Sequence, residues 1–200
     1  MEIIRDINQR DPEWFKLKNG RVSASHAKDI LSMTGATGSQ KNYMLSLAGE
    51  VLGGEKDHFE SHDMKRGTEL ESDAREQYEW KSGNKVEEVA LIFKDKDKRV
   101  LCSPDGIMMD IGTGFEVKCP KMHTHVEYLL KKRVPPVYFP QVQSSMYVTG
   151  FDKWVFMSYY PGLDPLIITV KRDNEWIEKF EVELKKFLKK LDETINKLRS

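Results

Sequence analysis

The run Phe115-Glu116-Val117-Lys118-Cys119 limits more than any other what this chain can fold into. It alternates apolar and charged residues. A β-strand, whose successive side chains point to opposite faces, sorts that pattern into Phe115 and Val117 on one side and Glu116 and Lys118 on the other. Pro120 ends the run, and Pro104-Asp105-Gly106 upstream reads as a tight turn carrying a second carboxylate. Residues 99–103, 107–109 and 115–119 then form a meander of short antiparallel strands, with a further turn at Gly112-Thr113-Gly114. Such a meander brings Asp105, Glu116 and Lys118 together. Two carboxylates suit Mg²⁺, a hard cation that binds few protein oxygens and keeps several waters. A metal so held polarises a phosphoryl oxygen and lowers the pKa of bound water, and a nearby lysine can orient that water or stabilise the developing charge. The set fits phosphodiester hydrolysis. Spacing alone slightly favours the plainer alternative, a hairpin with surface charges, because Asp in a Pro-Asp-Gly turn is common turn chemistry.

The rest of the chain supplies elements to pack around these strands. Asp11-Pro12-Glu13 is a helix start, with Trp14 and Leu17 facing the core and Gly20 as the stop. Ser23 or Ser25 can cap a short helix over residues 26–31, and residues 32–40 read as a small, polar loop. A helix is expected over 42–52, with Leu45, Ala48 and Leu52 on one stripe and Gly53-Gly54 as its end. Residues 55–61 read as polar loop. One longer helix is expected over 64–82, with Leu70, Ala74 and Tyr78 at helical spacing, Glu71 beside that stripe and Gly83 at the end. A strand follows over 85–93 and a helix over 124–132. Pro140 opens another helix over 141–148, and strands follow over 154–160 and 166–170. Residues 174–198 form a long amphipathic helix, with Trp176, Phe180, Leu184, Phe187, Leu191, Ile195 and Leu198 stepping by three or four. This stripe reads as core, and the intervening lysines as its wet face. A partner-docking role for that face is the lesser alternative. No repeat or interior linker divides the chain, so residues 1–200 read as one α/β domain.

Basic and acidic residues balance, 32 against 32, so bulk charge gives no argument for nucleic-acid binding. A local basic surface remains open. No apolar run is long enough to span a bilayer, and the first residues lack the apolar core of a secretory signal. The expectation is a soluble intracellular protein with no membrane partner. Cys102 and Cys119 match no zinc spacing and read as buried free thiols. His123 and His125, just after a strand, read as loop or helix start rather than ligands.

Resemblance shifts the balance toward chemistry. Pro104-Asp105 followed by Glu116-Val117-Lys118 matches the PD-(D/E)xK signature of a large nuclease superfamily. Five runs occur in one order: Val22-Ser23-Ala24-Ser25, Gly67 through Arg75, Cys102-Ser103-Pro104-Asp105-Gly106, Glu116-Val117-Lys118-Cys119-Pro120, and Gln141-Val142-Gln143-Ser144-Ser145-Met146. The chain closely resembles the phage lambda exonuclease family, the YqaJ-like viral recombinase nucleases, from Trp14 to the final helix.

The resemblance implies an α/β fold with a central mixed β-sheet flanked by helices, the restriction-endonuclease-like PD-(D/E)xK core. It implies Asp105, Glu116, the Val117 carbonyl and Glu71 as ligands of Mg²⁺, with Mn²⁺ as a substitute. Lys118 would activate or position the water, and Gln143 would line the active site. Lys18, Ser25, Ser103 and Gln143 would bind the terminal 5′-phosphate. Lys18 stands where the family has an arginine, and offers a point charge without the bidentate fork. The implied activity is 5′→3′ exonuclease action on double-stranded DNA ends, releasing mononucleotides and leaving a 3′ single-stranded tail for a single-strand annealing protein. The implied assembly is a homotrimeric ring, and the implied setting is the cytoplasm of a bacterial host carrying a phage or prophage. Two rivals follow from the same residues. One is a restriction-type or structure-specific endonuclease on the same core. The other is a silent DNA-binding module, which the presence of Asp105, Glu116, Lys118 and Glu71 argues against.

Overall fold

The computed structural model describes residues 1–31, 38–54 and 61–200. The loop expected over 32–40 lies mostly, and that over 55–61 almost wholly, outside the described residues. In chain order the elements are β1 (Glu2–Ile4), α1 (Pro12–Lys18), β2 (Val22–Ser23), α2 (Ala27–Ile30), α3 (Gly38–Val51), α4 (His62–Glu69) and α5 (Glu71–Ser82). There follow β3 (Leu91–Phe93), β4 (Val100–Cys102), β5 (Gly106–Met108), β6 (Thr113–Lys118), α6 (Met122–Lys131), α7 (Phe139–Thr149), β7 (Lys153–Ser158), β8 (Leu166–Lys171) and α8 (Asn174–Arg199). The mixed α/β class expected from the sequence is what forms.

The strands fall into two four-stranded sheets, β1-β3-β4-β2 and β5-β6-β7-β8. Both are mixed: β2 runs parallel to β4 and β6 parallel to β7, while the other neighbours are antiparallel. The expected three-strand meander is therefore divided. β4 ends the first sheet's part, and only β5 and β6 form a hairpin in the second. A single bridge, Glu87 to Ile107, ties the segment before β3 to β5. Most of the strand expected over 85–93 is irregular for this reason, and only Leu91–Phe93 is regular strand.

Strand β6 sorts its side chains as its alternation requires. Phe115 and Val117 pack with Ala74 and Tyr78 of α5, and with Val155 and Met157 of β7. The rings of Tyr78 and Phe115 lie 4.9 Å apart. Glu116 and its β7 neighbour Phe156 face the other way, toward α7. On that face Gly114 lies opposite Trp154, whose ring would be 2.3 Å from any added Cβ, so no larger residue fits there without displacing the indole. Helix α7 is buried along Val142–Met146, packed between both sheets and α8. Phe180, Leu184, Phe187, Leu191 and Ile195 of α8 complete the largest core cluster, and burying each such side chain contributes roughly 1.5–3 kcal/mol.

Three local expectations change. The helix expected over 64–82 is two helices, broken at Leu70 (φ −94°, ψ −6°). The break puts Glu71 at the N-terminus of α5, where a carboxylate is favoured by the helix dipole. In α3, Tyr43, Leu47 and Ala48 face the core, whereas Leu45 and Leu52 are exposed. Ser23 belongs to β2, and neither Ser23 nor Ser25 caps the following turn. Both cysteines are free. His125 is fully buried on α6, bonded to Ser158 Oγ (2.8 Å) and the Asp164 carbonyl (3.1 Å). No helix among the described residues is long and apolar enough to cross a membrane.

Candidate active site

The hairpin of β5 and β6 brings the signature residues to one point. The Asp105 amide donates to the Phe115 carbonyl (3.1 Å), and Asp105 Oδ2 accepts from the Val117 amide (2.7 Å). The carboxylate is thereby fixed beside Glu116. Lys118 Nζ lies 2.5 Å from Glu116 Oε1, and Glu116 is only 2% exposed. Burial pushes the Asp105 carboxyl well above the usual carboxylate range, and Glu116 adds to the rise, with a smaller push from Glu71. Lys118 and the Val117 amide oppose it. Burial alone would lower the Lys118 ammonium, but Glu116 and then Asp105 outweigh it, and the lysine is held charged.

The glutamine is where sequence and structure part. Gln143 was expected to line the active site and to help hold a terminal phosphate. It does neither in this arrangement: it is fully buried, donating through Nε2 to the Lys171 carbonyl and accepting at Oε1 from the Asp173 amide. Gln143 thus secures the junction between β8 and α8. Gln141 takes the place at the site, with Nε2 2.6 Å from Glu116 Oε1. Two residues along an α-helix turn the side chain by about 200°, so only one of the pair can face β6. Tyr138, just before α7, puts its ring 5.3 Å from Lys118 Nζ.

Glu71 reaches the site from the start of α5. With Asp105 it pushes the Cys119 thiol up to about 12, after burial, the main cause. Its own partner is Arg10, whose Nη2 lies 3.0 Å from Glu71 Oε1. Two clefts meet at this pair. One, of about 510 Å³, is lined by Lys118, Val117, Lys121, Arg66 and Tyr138; the other, of about 420 Å³, by Asp105, Arg5 and Arg75. Arg10, Thr68 and Glu71 line both. Arg66 is held by a 2.7 Å bond to the Cys119 carbonyl. Sequence reading missed Gln141, Arg10 and Tyr138. Gln141 could have been weighed as the alternative to Gln143, but nothing in the local pattern marks the other two.

Of the residues expected to hold a terminal phosphate, Lys18 and Ser25 line one cavity of about 150 Å³, together with Arg21 and Ser23. Lys18 Nζ sits 3.8 Å from the Trp14 ring centroid. Ser103 is tied to the same wall through Trp14: its hydroxyl accepts from Trp14 Nε1 (3.2 Å) and donates to the Ala90 carbonyl (2.6 Å). The buried Cys102 thiol lies within electrostatic reach of both regions; burial and then Glu116 raise it, and Lys18 opposes.

The donor set fits a hard divalent cation. Asp105 and Glu116 are close enough for one to hinder the other's ionisation, which a cation would relieve. No group of three or more His, Cys, Asp or Glu residues forms a metal-ligand cluster among the described residues. Glu71, paired with Arg10, thus does not close with Asp105 and Glu116 into one three-acid group in this arrangement.

The raised Asp105 carboxyl has a consequence for stability. The unfolded chain ionises an aspartate near pH 4. The folded protein without metal does so only at higher pH, so its proton-linked stabilisation is complete below about pH 4 and is lost as pH rises through the raised value. Asp105→Asn keeps an oxygen for the Val117 amide but cannot ionise. Without divalent cation, the variant should melt above the wild type at pH 8, by about 2–4 °C per kcal/mol of repulsion removed, and the gap should shrink toward pH 5. Parallel melting curves across that range would contradict the repulsion.

The profile of the YqaJ-like viral recombinase domain matches residues 13–152, more than half of the chain. The structure is similar to that of LHK-Exo, an alkaline exonuclease from Laribacter hongkongensis, with 33% identity and a TM-score of 0.86 over 94% of this chain and 96% of that one. LHK-Exo in complex with dAMP gives 35% identity and a TM-score of 0.85 over the same shares. A phage related exonuclease from Haemophilus somnus 129PT shares the fold, with a TM-score of 0.69 at 16% identity over 89% of this chain and 96% of that one. No curated protein sequence matches. The matched span contains β6 with its Glu116 and Lys118, the Asp105 turn, Glu71 at the head of α5, and Gln141. The chain belongs to the YqaJ-like viral recombinase family.

Proposed function

We propose that this chain is a Mg²⁺-dependent 5′→3′ exonuclease acting on double-stranded DNA ends, able to use Mn²⁺ in place of Mg²⁺. The observation that carries the reading is the convergence of Asp105, Lys118 and Gln141 around the buried Glu116 carboxylate, where two clefts meet. The similarity to an alkaline exonuclease over nearly the whole chain supports it.

Asp105, Glu116, Glu71 and the Val117 carbonyl would hold Mg²⁺, which when bound polarises a phosphoryl oxygen and lowers the pKa of water. Lys118, held charged by its acidic neighbours, orients the attacking water and offsets charge on the phosphate. Gln141 fixes the Glu116 carboxylate, leaving less of its orientation to be set during reaction. Lys18 and Ser25 hold the terminal 5′-phosphate in their cavity, with Ser103 steadied against Trp14 at its wall. Anchoring the 5′ end there sets the direction of travel and the release of mononucleotides, and leaves a 3′ tail for a single-strand annealing protein.

With no net charge to hold DNA from outside, enclosure of the duplex in a homotrimeric ring is the assembly that best explains retention on the substrate. The setting is the cytoplasm of a bacterial host. A closed circular duplex separates this reading from an endonuclease on the same core. The protein should degrade the linear form and leave the closed circle intact; cutting of the circle would overturn the exonuclease assignment.

A further inference from the structure

Resting on that nuclease reading, we infer that Arg10 is a DNA phosphate-binding residue of the cleft, held in place by Glu71. Its backbone is the first indication. Arg10 has φ 72°, the left-handed region that a side chain adopts at a steric penalty and glycine adopts freely. The turn is held there by its neighbour: Gln9 Nε2 donates to both the Val89 carbonyl (2.9 Å) and the Pro104 carbonyl (2.8 Å), directly before Asp105. A strained conformation fixed beside a reactive carboxylate, and occupied by a long cationic side chain rather than glycine, points to a role for the guanidinium.

The guanidinium itself is the second indication. It makes one bond to Glu71, its side chain remains 41% exposed, and it lines both clefts that meet at the site. A guanidinium has five N–H donors in a planar fork, so a single carboxylate contact leaves donors for a phosphate. Glu71 at the head of α5 fixes the fork's direction. Where Lys18 supplies only a point charge at the 5′-phosphate cavity, Arg10 supplies forked recognition next to Asp105, on the strand's phosphates at the point of cleavage.

Arg10→Gly is the informative variant, because it removes the guanidinium while relieving the left-handed backbone. Cleavage of a linear duplex at saturating Mg²⁺ should fall about 10–100-fold. Duplex binding without divalent cation should lose about one unit of slope in log Kd against log salt, as expected when one phosphate contact is removed. Arg10→Lys should restore the slope but only part of the rate. A merely structural arginine would leave the salt slope unchanged. Wild-type rate and slope in Arg10→Gly would overturn the inference, and so would an unchanged slope in Arg10→Gln, the variant to use if Arg10→Gly does not fold. Wild-type protein run alongside keeps the two readings apart: failure of the wild type to cut linear duplex sinks the nuclease assignment, whereas equal cutting by wild type and variant sinks only the role of Arg10.

Discussion

Lys118→Ala should lower DNA cleavage by roughly 10³-fold or more while leaving duplex binding within a few-fold of wild type. Among the described residues Lys118 is the one ammonium set against the buried Glu116 carboxylate, and its charge is maintained by Glu116 and Asp105. It is therefore positioned where negative charge develops on the phosphate, not along the DNA backbone at large. The substitution also removes a partner from a nearly buried carboxylate, a change that costs up to about 3–5 kcal/mol in other buried pairs. Gln141 still donates to Glu116, which places this case below that ceiling. Lys118→Arg separates the two effects. It keeps the charge and most of the stability, yet presents a planar fork in place of a compact point charge. Cleavage should fall for Lys118→Arg too, with melting close to wild type. Normal cleavage by Lys118→Ala would remove the lysine from the mechanism.

The two glutamines of α7 should give opposite phenotypes. Gln143→Ala empties a fully buried position and takes their partner from the Lys171 carbonyl and the Asp173 amide, whose bonds to Gln143 are part-buried. A lost hydrogen bond costs about 0.5–1.5 kcal/mol where water can replace the partner, so the two together should cost the variant roughly 1–3 kcal/mol of stability. Its cleavage per folded molecule should be near normal. Gln141→Ala removes a contact to Glu116, which Lys118 still pairs, and should lose only about 1 kcal/mol of stability while cleavage falls roughly 10²-fold. Denaturant melts and single-turnover cleavage on the same preparations check both. An active-site role for Gln143 would instead show as lost cleavage in a fully folded Gln143→Ala.

That pair shows where sequence stops being sufficient. The motif Gln141-Val142-Gln143 marks the right helix, but the helix's rotation is set by Val142 and Met146 packing into the core, which no local pattern reports. The alternation of residues 115–119 was legible because a strand has only two faces, and both filled as expected: Phe115 and Val117 inward against Tyr78, Glu116 and Lys118 toward the cleft. The α8 stripe was legible for a similar reason, though its end, Leu198, is exposed. The break at Leu70 was not legible, because the Leu70, Ala74 and Tyr78 spacing continues straight through it although Gly67, Thr68, Ser72 and Asp73, poor helix formers, flank it. It depends on where Ala74 and Tyr78 dock under the second sheet, and it gives Glu71 its place at a helix head. Arg10 had no signal at all, because its importance comes from a backbone dihedral and a partner 61 positions away.

The central claim is that one site, organised by Asp105, Glu116 and Lys118, removes nucleotides from 5′ ends of duplex DNA. The most direct test is a linear duplex with one strand labelled at a time, incubated with Mg²⁺ or with chelator. Loss should proceed from the 5′ end of each strand, release mononucleotides, leave the 3′ half of each strand as a tail, and stop on chelation. Digestion from 3′ ends, or digestion that chelator leaves untouched, would contradict the account.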